Sequence, residues 1–531
     1  MPARILIFVL CLSLLLTACT RSAPVDTSFT PMAPANVSLP TLAPVQTYLP
    51  PTRAAGTPVA SPTPDVKLVL PTFTPLSPEI LSIGGTPTPG PVTYTVQPGD
   101  FLGKIAQSYG ITAEELAEAN NLNIYTSIIY PGDVLVIPVA PDAAPAALAA
   151  SQAASSEYFK IIPDSELVYS PLGTLLNIEA FVRQQGGYLA YYNQEVEGEY
   201  LSGAQVVRRI AQNYSVNPRL LLAVLEYRSQ WVTNPNPAAS TLDNPIGYID
   251  DTRVGLYRQL AWTADKLNEG FYRWRERKVS NWRLVDGALI VPQPGINAGT
   301  AGVHNLFAKL DDQSSWYIDT GPNGLYAAYS KMFGYPFDWA IEPLLPENLS
   351  QPTFVLPFEP GQVWTYTGGP HGGWDSGSAW AAIDFAPPGE PMGCVLSTAW
   401  VTAIADGLIV RSENGVVIQD LDGDGLEQTG WTILYMHVDR SERVQAGKFV
   451  RAGERIGHPS CEGGFSNGTH LHIARRYNGV WIAADDPKLN FVMDGWVVRG
   501  DGIEYDGWLD KDGNSLQAWE TVGPINQIQR P

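Results

Sequence analysis

The sequence predicts a multidomain chain with a disordered stalk, a small βααβ module, a mainly α-helical middle domain and a C-terminal all-β antiparallel domain. Three observations carry this. Residues 20–91 are dominated by Pro, Thr, Ala and Ser, residues 157–345 hold most of the helical apolar spacing, and short β runs between Gly and Pro turns take over from about Thr353. At 531 residues the chain is too long for one core, so several domains joined by linkers are expected. The net charge of -20 is spread along the chain and argues against a nucleic-acid partner, because phosphate binding needs basic patches.

At the N-terminus, Arg4 precedes an apolar run from Ile5 to Leu16 that is short for a transmembrane helix. The run ends in Leu16-Thr17-Ala18-Cys19, which resembles the lipobox of bacterial lipoproteins. The resemblance implies a signal peptide over residues 1–19, lipidation of Cys19, and an extracytoplasmic chain anchored to a bacterial membrane and facing the cell wall. The competing reading is an ordinary secretory signal with an incidental cysteine. Residues 20–91 lack the apolar content for a core and read as an extended tether. With Cys11 removed and Cys19 acylated, Cys394 and Cys461 remain, and in an oxidising compartment they are expected to form one disulfide.

Residues 92–138 are compact. Tyr94-Thr95-Val96 reads as a strand and Gln97-Pro98-Gly99-Asp100 as a turn. Leu102, Ile105, Ala106 and Tyr109 have helical spacing, Thr112 with Glu115 forms a capping box, and Val134 to Ile137 is a closing strand. With Asn120-Asn121-Leu122 and Pro131-Gly132-Asp133, this pattern resembles a LysM module. The resemblance implies binding to N-acetylglucosamine-containing glycans, in bacteria chiefly peptidoglycan. A second linker, rich in Ala, Pro and Ser, covers residues 139–156.

In the middle domain, Ser202 to Tyr214, Pro218 to Trp231 and Val254 to Arg275 are expected as helices. Tyr214 to Glu226 resembles the helix that carries the catalytic acid of lysozyme-like lytic transglycosylases, where serine directly follows the acid. Here Ser229 follows Arg228, so Glu226 lies two residues early. At about 100° per residue it would face elsewhere. A non-catalytic spacing or substrate-holding domain is therefore the expected reading, with glycan cleavage as the alternative. His304 is expected to be packed or capping.

The C-terminal domain, expected over residues 350–500 with an extension at 501–531, holds His371, His437, His458, His470 and His472 out of six histidines in the chain. Alternate residues of a strand share a face, so His470 and His472 can project into one site. The ordered features are Pro370-His371-Gly372-Gly373-Trp374, Ala382-Ile383-Asp384-Phe385-Ala386, Tyr435-Met436-His437, and Cys461-Glu462-Gly463-Gly464 running to His470-Leu471-His472. Together they resemble the lysostaphin-type, or LytM-type, zinc endopeptidases, most closely the β-lytic and staphylolytic branch. The resemblance implies one Zn2+ ion held by His371, Asp384 and His472, with His437 and His470 beside it as general acid/base and transition-state stabilisers. Three protein ligands leave zinc an open position, where the pKa of water falls toward about 7. Asp375 has the spacing of an alternative ligand but sits in a polar loop, and is expected to be solvated or substrate-facing. His458 is expected to be structural, and Trp431 and Tyr435 to belong to the core.

Asp420, Asp422 and Asp424 alternate as in a calcium loop, but Trp431 stands where an EF-hand needs glutamate. A solvated acidic turn is expected there, with Ca2+ binding as the alternative. The whole chain thus reads as a lipid-tethered bacterial cell-wall hydrolase whose partners are peptidoglycan and a membrane. An inert scaffold that activates another hydrolase is the alternative from a different class.

Overall fold

The computed structural model describes residues 92–96, 102, 105–106, 109, 116–117, 119–120, 122, 129, 133–138, 159–389 and 393–531. Cys19, the stalk, Thr112, Glu115 and the second linker lie outside the described residues.

In the first module, β1 (Val92–Thr95) pairs antiparallel with β2 (Val134–Ile137), with Tyr94 opposite Leu135. Val96, Leu102, Ile105, Leu116, Leu135 and Ile137 form its buried core. Asn120 ties the core to the sheet: its amide nitrogen donates to the carbonyls of Leu116 (2.8 Å) and Val136 (2.6 Å), and its oxygen accepts from Val136 N–H.

The middle domain contains α1 (Asp164–Leu167), α2 (Ile178–Gln185), a hairpin of β3 (Asn193–Val196) and β4 (Glu199–Ser202), then α3 (Gly203–Tyr214) and α4 (Pro218–Ser229). It continues with α5 (Leu256–Arg275), a short hairpin of β5 (Trp282–Arg283) and β6 (Leu289–Ile290), α6 (Ala298–Ala308), α7 (Gln313–Asp319) and α8 (Leu325–Phe333). Local chemistry sets the helix ends. Ser202 and Gln205 close a capping box on α3, and Asn217 caps α4 with Pro218 in the first turn. The expected helix to Trp231 stops at Ser229 because Gln230 turns left-handed (φ 58°), and α5 starts at Leu256 because Gly255 (φ 90°) cannot be helical. Every residue from Pro218 to Leu225 is buried, so α4 runs through the centre of the domain. Nearby, Arg219 pairs twice with the buried Glu166, which also accepts from the Tyr329 hydroxyl.

The C-terminal domain is built on β7 (Val363–His371), β8 (Ala382–Ala386), β9 (Val401–Thr402), β10 (Gly407–Glu413), β11 (Val416–Asp420), β12 (Trp431–Met436), β13 (Phe449–Val450), β14 (Arg455–Gly457), β15 (Leu471–Tyr477) and β16 (Val480–Trp481). It ends in β17 (Val492–Met493), β18 (Trp496–Arg499), β19 (Trp508–Lys511), β20 (Asn514–Gln517) and β21 (Gln527–Gln529). The main antiparallel sheet has the order β13-β10-β11-β12-β15-β8-β7-β21, with β16 beside β15. Residues 501–531 are integral rather than appended: β21 pairs with β7, and β19 and β20 continue a second sheet begun by β17 and β18.

Both faces of the main sheet are buried, which explains the unbroken burial along β12 and most of β15. Ile383, Phe385, Ile433, Tyr435, Leu471 and Ile473 point into the domain's own core. Ala382, Val416, Ile418, Leu434, Met436 and Ala474 point the other way and share one core with the helical domain. The helical domain is thus a second layer packed on the sheet. Trp431 and Tyr435 both belong to the buried core, and His304 is half-buried, packed between Trp282 and Trp316 with ring centroids 5.0 and 4.9 Å away.

Candidate metal centre

Strand register assembles the centre. His472 on β15 lies directly opposite Asp384 on β8, on the sheet face that the helical domain covers, and cross-strand partners hold their Cβ atoms about 4.5–5.5 Å apart. His371 ends β7, opposite Ala382. The close approach of β7 needs Gly368, where a Cβ would stand 2.6 Å from Asp384 Oδ2.

Three donor atoms converge. His371 Nε2 lies 2.9 Å from His472 Nδ1, and both lie 3.3 Å from Asp384 Oδ1. His371 Nδ1 donates to the Gly369 carbonyl (2.8 Å) and His472 Nε2 donates to the Gly373 carbonyl (3.1 Å). A carbonyl only accepts, so in the neutral rings the facing nitrogens carry lone pairs. Asp384 Oδ1 is buried and, among the described residues, accepts no hydrogen bond. Three electron-pair donors turned toward each other in a buried place fit a cation between them. Donors about 2.0–2.2 Å from a tetrahedral zinc stand roughly 3.3–3.5 Å apart, close to the spacing here. Among the described residues His371, Asp384 and His472 form one of two groups able to hold a metal.

The two further histidines flank this triad. His470 Nδ1 donates to the Gly468 carbonyl (2.7 Å), and its Nε2 lies 3.7 Å from Asp384 Oδ1. His437, one residue past β12 in the left-handed region (φ 65°), directs Nδ1 to the Glu462 carbonyl (3.2 Å). The rings of His437 and His470 are 4.5 Å apart. Burial, followed by His470 and His472, lowers His437 to about 3, so its ring is neutral near pH 7. Burial opposes ionisation of Asp384, but the neighbouring His371 and His470 outweigh it and hold the carboxyl well below its usual range. Burial lowers His472; it also works against protonation of His371, where the Asp384 charge wins and raises the pKa.

The centre opens into a cleft of about 920 Å³, lined from the sheet side by Trp374, Asp375, Phe465 and Tyr505, and from the helical domain by Arg209 and Tyr214. Asp375 is exposed in the cleft wall, and its Oδ2 accepts from the Tyr214 hydroxyl (3.0 Å). Cys394 and Cys461 are bonded (Cα–Cα 5.7 Å), and Cys461 begins the loop that leads to His470. His458 packs at a tilt against Trp400 (ring centroids 3.8 Å apart, planes inclined by 43°) and bonds the Ala399 carbonyl. Tyr505, Tyr214 and the carbonyls of Gly369 and Gly373 were not legible as site groups, since each reaches the centre through long-range packing.

The other expected sites read differently. Asp420, Asp422 and Asp424 lie close together, but Asp420 is occupied by the backbone N–H groups of Asp422, Gly423 and Gly425, as in a self-closed acidic turn. Calcium finds no further support there. Glu226 is turned onto its own chain, accepting from Val232 N–H, Thr233 N–H and the Thr233 hydroxyl.

Residues 381–484 match the model of peptidase family M23, residues 94–138 that of the LysM domain, and residues 160–346 that of the LasA N-terminal domain. Together these support an M23-type peptidase that carries a LysM module. The M23 family is zinc-dependent, in keeping with the His/Asp donor set. Protease LasA from two strains of Pseudomonas aeruginosa is 27% identical over 291 and 292 residues, covering 51% of this chain and 65% of LasA. The chain is also similar to the deep-sea M23 metalloprotease pseudoalterin (23% identity, TM-score 0.28, covering 34% of this chain and 99% of that one). The catalytic domain of lysostaphin from Staphylococcus simulans is similar too (26%, TM-score 0.17, covering 23% and 87%).

Proposed function

We propose that this chain is a zinc-dependent endopeptidase that cleaves peptide stems or cross-bridges of peptidoglycan. The observation that carries the proposal is the convergence of His371 Nε2, Asp384 Oδ1 and His472 Nδ1, with the other nitrogen of each ring already held by a backbone carbonyl. A zinc ion held there would supply Lewis acidity toward a peptide carbonyl and an acidified water. His437, neutral and beside His470, is placed to accept a proton from the attacking water and return it to the leaving amine. His470 directs Nε2 toward the same point and can hydrogen-bond the developing oxyanion. Burial of the His437 ring limits competing water there.

Targeting follows from the remaining modules. The LysM module would hold the enzyme on glycan and a lipid on Cys19 would hold it on a bacterial membrane outside the cytoplasm. Both raise the effective concentration of substrate at the cleft, so a modest glycan affinity suffices. The engagement of Glu226 by its own backbone disfavours glycan cleavage in the helical domain. The presence of all three donors and both flanking histidines disfavours the scaffold reading.

The test is digestion of purified peptidoglycan by the full chain with and without a chelator, with products identified by mass spectrometry. New peptide ends that vanish on chelation and return with zinc are expected. Intact stems, or activity that survives chelation, would refute the proposal.

A further inference from the structure

The loop between β7 and β8 holds part of the metal centre, since its Gly373 carbonyl fixes the tautomer of His472. Within the loop, Gly373 N–H bonds the Ala379 carbonyl (3.0 Å), Trp374 N–H bonds the Ser378 hydroxyl (2.9 Å), and that hydroxyl donates to the Asp375 carbonyl (3.1 Å). Its outer side is held from the helical domain. Tyr214, the last residue of α3, donates its hydroxyl to Asp375 Oδ2 (3.0 Å) and meets Trp374 edge-on at 6.2 Å. Asp265 on α5 accepts from Gly377 N–H (2.6 Å). The fit is tight, because a Cβ on Gly377 would stand 2.0 Å from the Asp265 carbonyl oxygen. Beneath the loop, Trp481 packs against Gly373 and donates its indole N–H to the Tyr214 carbonyl (3.3 Å). Tyr214 and Asp265 are both almost fully buried.

We propose that Tyr214 and Asp265 are positioning residues of the metal centre. They clamp the Gly373 loop so that its carbonyl meets His472, and the helical domain is thereby a working part of the zinc site. The inference rests on the zinc reading above and extends it. Groups that orient metal ligands typically change metal affinity by about 10–100-fold when lost, and these residues act one step further out. A change of roughly three- to tenfold is therefore expected from losing a single clamp bond.

The experiment measures zinc affinity and zinc release by the full chain, using competition with a chromophoric chelator. Tyr214→Phe removes one oxygen, and Gly377→Ala wedges the loop away from α5. Both are expected to weaken zinc binding and speed its release, Gly377→Ala by about tenfold or more. Ser215→Ala is the comparison. It breaks another contact between the domains, the Ser215 hydroxyl to the Gly479 carbonyl (2.7 Å), at the far end of β15. Its zinc affinity is expected to stay within about twofold of wild type, since no metal-site carbonyl depends on it. Wild-type zinc affinity in both folded clamp variants would overturn the inference, as would an equal loss in Ser215→Ala. If Gly377→Ala fails to fold, Tyr214→Phe still decides. A wild-type chain that takes up no zinc would overturn the metal reading and the clamp together.

Discussion

Tyr505 lies flat on His371, with ring centroids 4.2 Å apart and planes inclined by 19°. The tyrosine comes from the C-terminal 501–531 segment, adopts a left-handed backbone (φ 69°), and exchanges backbone bonds with the His371 strand: Gly369 N–H to Tyr505 O (2.6 Å) and Tyr505 N–H to Pro370 O (3.2 Å). Aromatic pairs of this kind contribute about 0.5–1.5 kcal/mol. Tyr505→Ala is therefore expected to weaken zinc binding about two- to tenfold, and Tyr505→Phe to preserve it. Chelator competition reads both, and equal loss in the two variants would show that the hydroxyl, not the ring, is what matters.

The donors and the flanking histidines should separate on substitution. Asp384→Ala and His472→Ala are expected to abolish stoichiometric zinc along with activity. His437→Asn, chosen because asparagine tolerates the left-handed backbone there, should retain zinc while kcat falls about 10²–10⁴-fold. Zinc content measured beside turnover checks this, and a His437→Asn protein that lost its metal would make that residue a ligand.

Stability should depend on the helical layer. Trp481, Leu434 and Met436 are buried in the core shared with the helical domain. Trp481→Ala is expected to cost about 3–5 kcal/mol, read as a large fall in Tm. A fragment starting after residue 346 would expose this face and is expected to aggregate. A monodisperse fragment with the Tm of the full chain would contradict the two-layer account.

His304 gives a pH dependence far from the metal. Burial lowers it from 6.5 to about 3, and its Nδ1 has no hydrogen-bond partner among the described residues. The folded chain keeps the ring neutral while the unfolded chain protonates it below 6.5, so this contribution to stability is intact above 6.5 and is lost as pH falls toward 3. The loss approaches roughly 1.4 kcal/mol per pH unit within that window. Denaturation measured from pH 7 to 4 should fall less steeply in His304→Phe than in wild type. Identical slopes would remove His304 as a cause.

The parts of the molecule that show in the sequence are those with short-range signals. The apolar spacing that predicts a helix from Ser202 to Tyr214 and the alternation that sends His470 and His472 to one side are local patterns. Gly255 and Gln230 shifted helix ends because positive φ depends on the surrounding packing. The clamp by Tyr214 and Asp265 and the stacking of Tyr505 join residues more than a hundred positions apart, and no periodicity encodes such contacts. The burial of both faces of β12 could be read from its apolar run, but not that helices cover one of them.

The most direct test is a crystal structure of the full chain with zinc, with anomalous scattering recorded on both sides of the zinc edge. One strong peak bonded to His371 Nε2, Asp384 Oδ1 and His472 Nδ1, with His437 and His470 unbonded beside it, is the expected result. An empty triad, or a peak held instead by the Asp420 loop, would contradict the account.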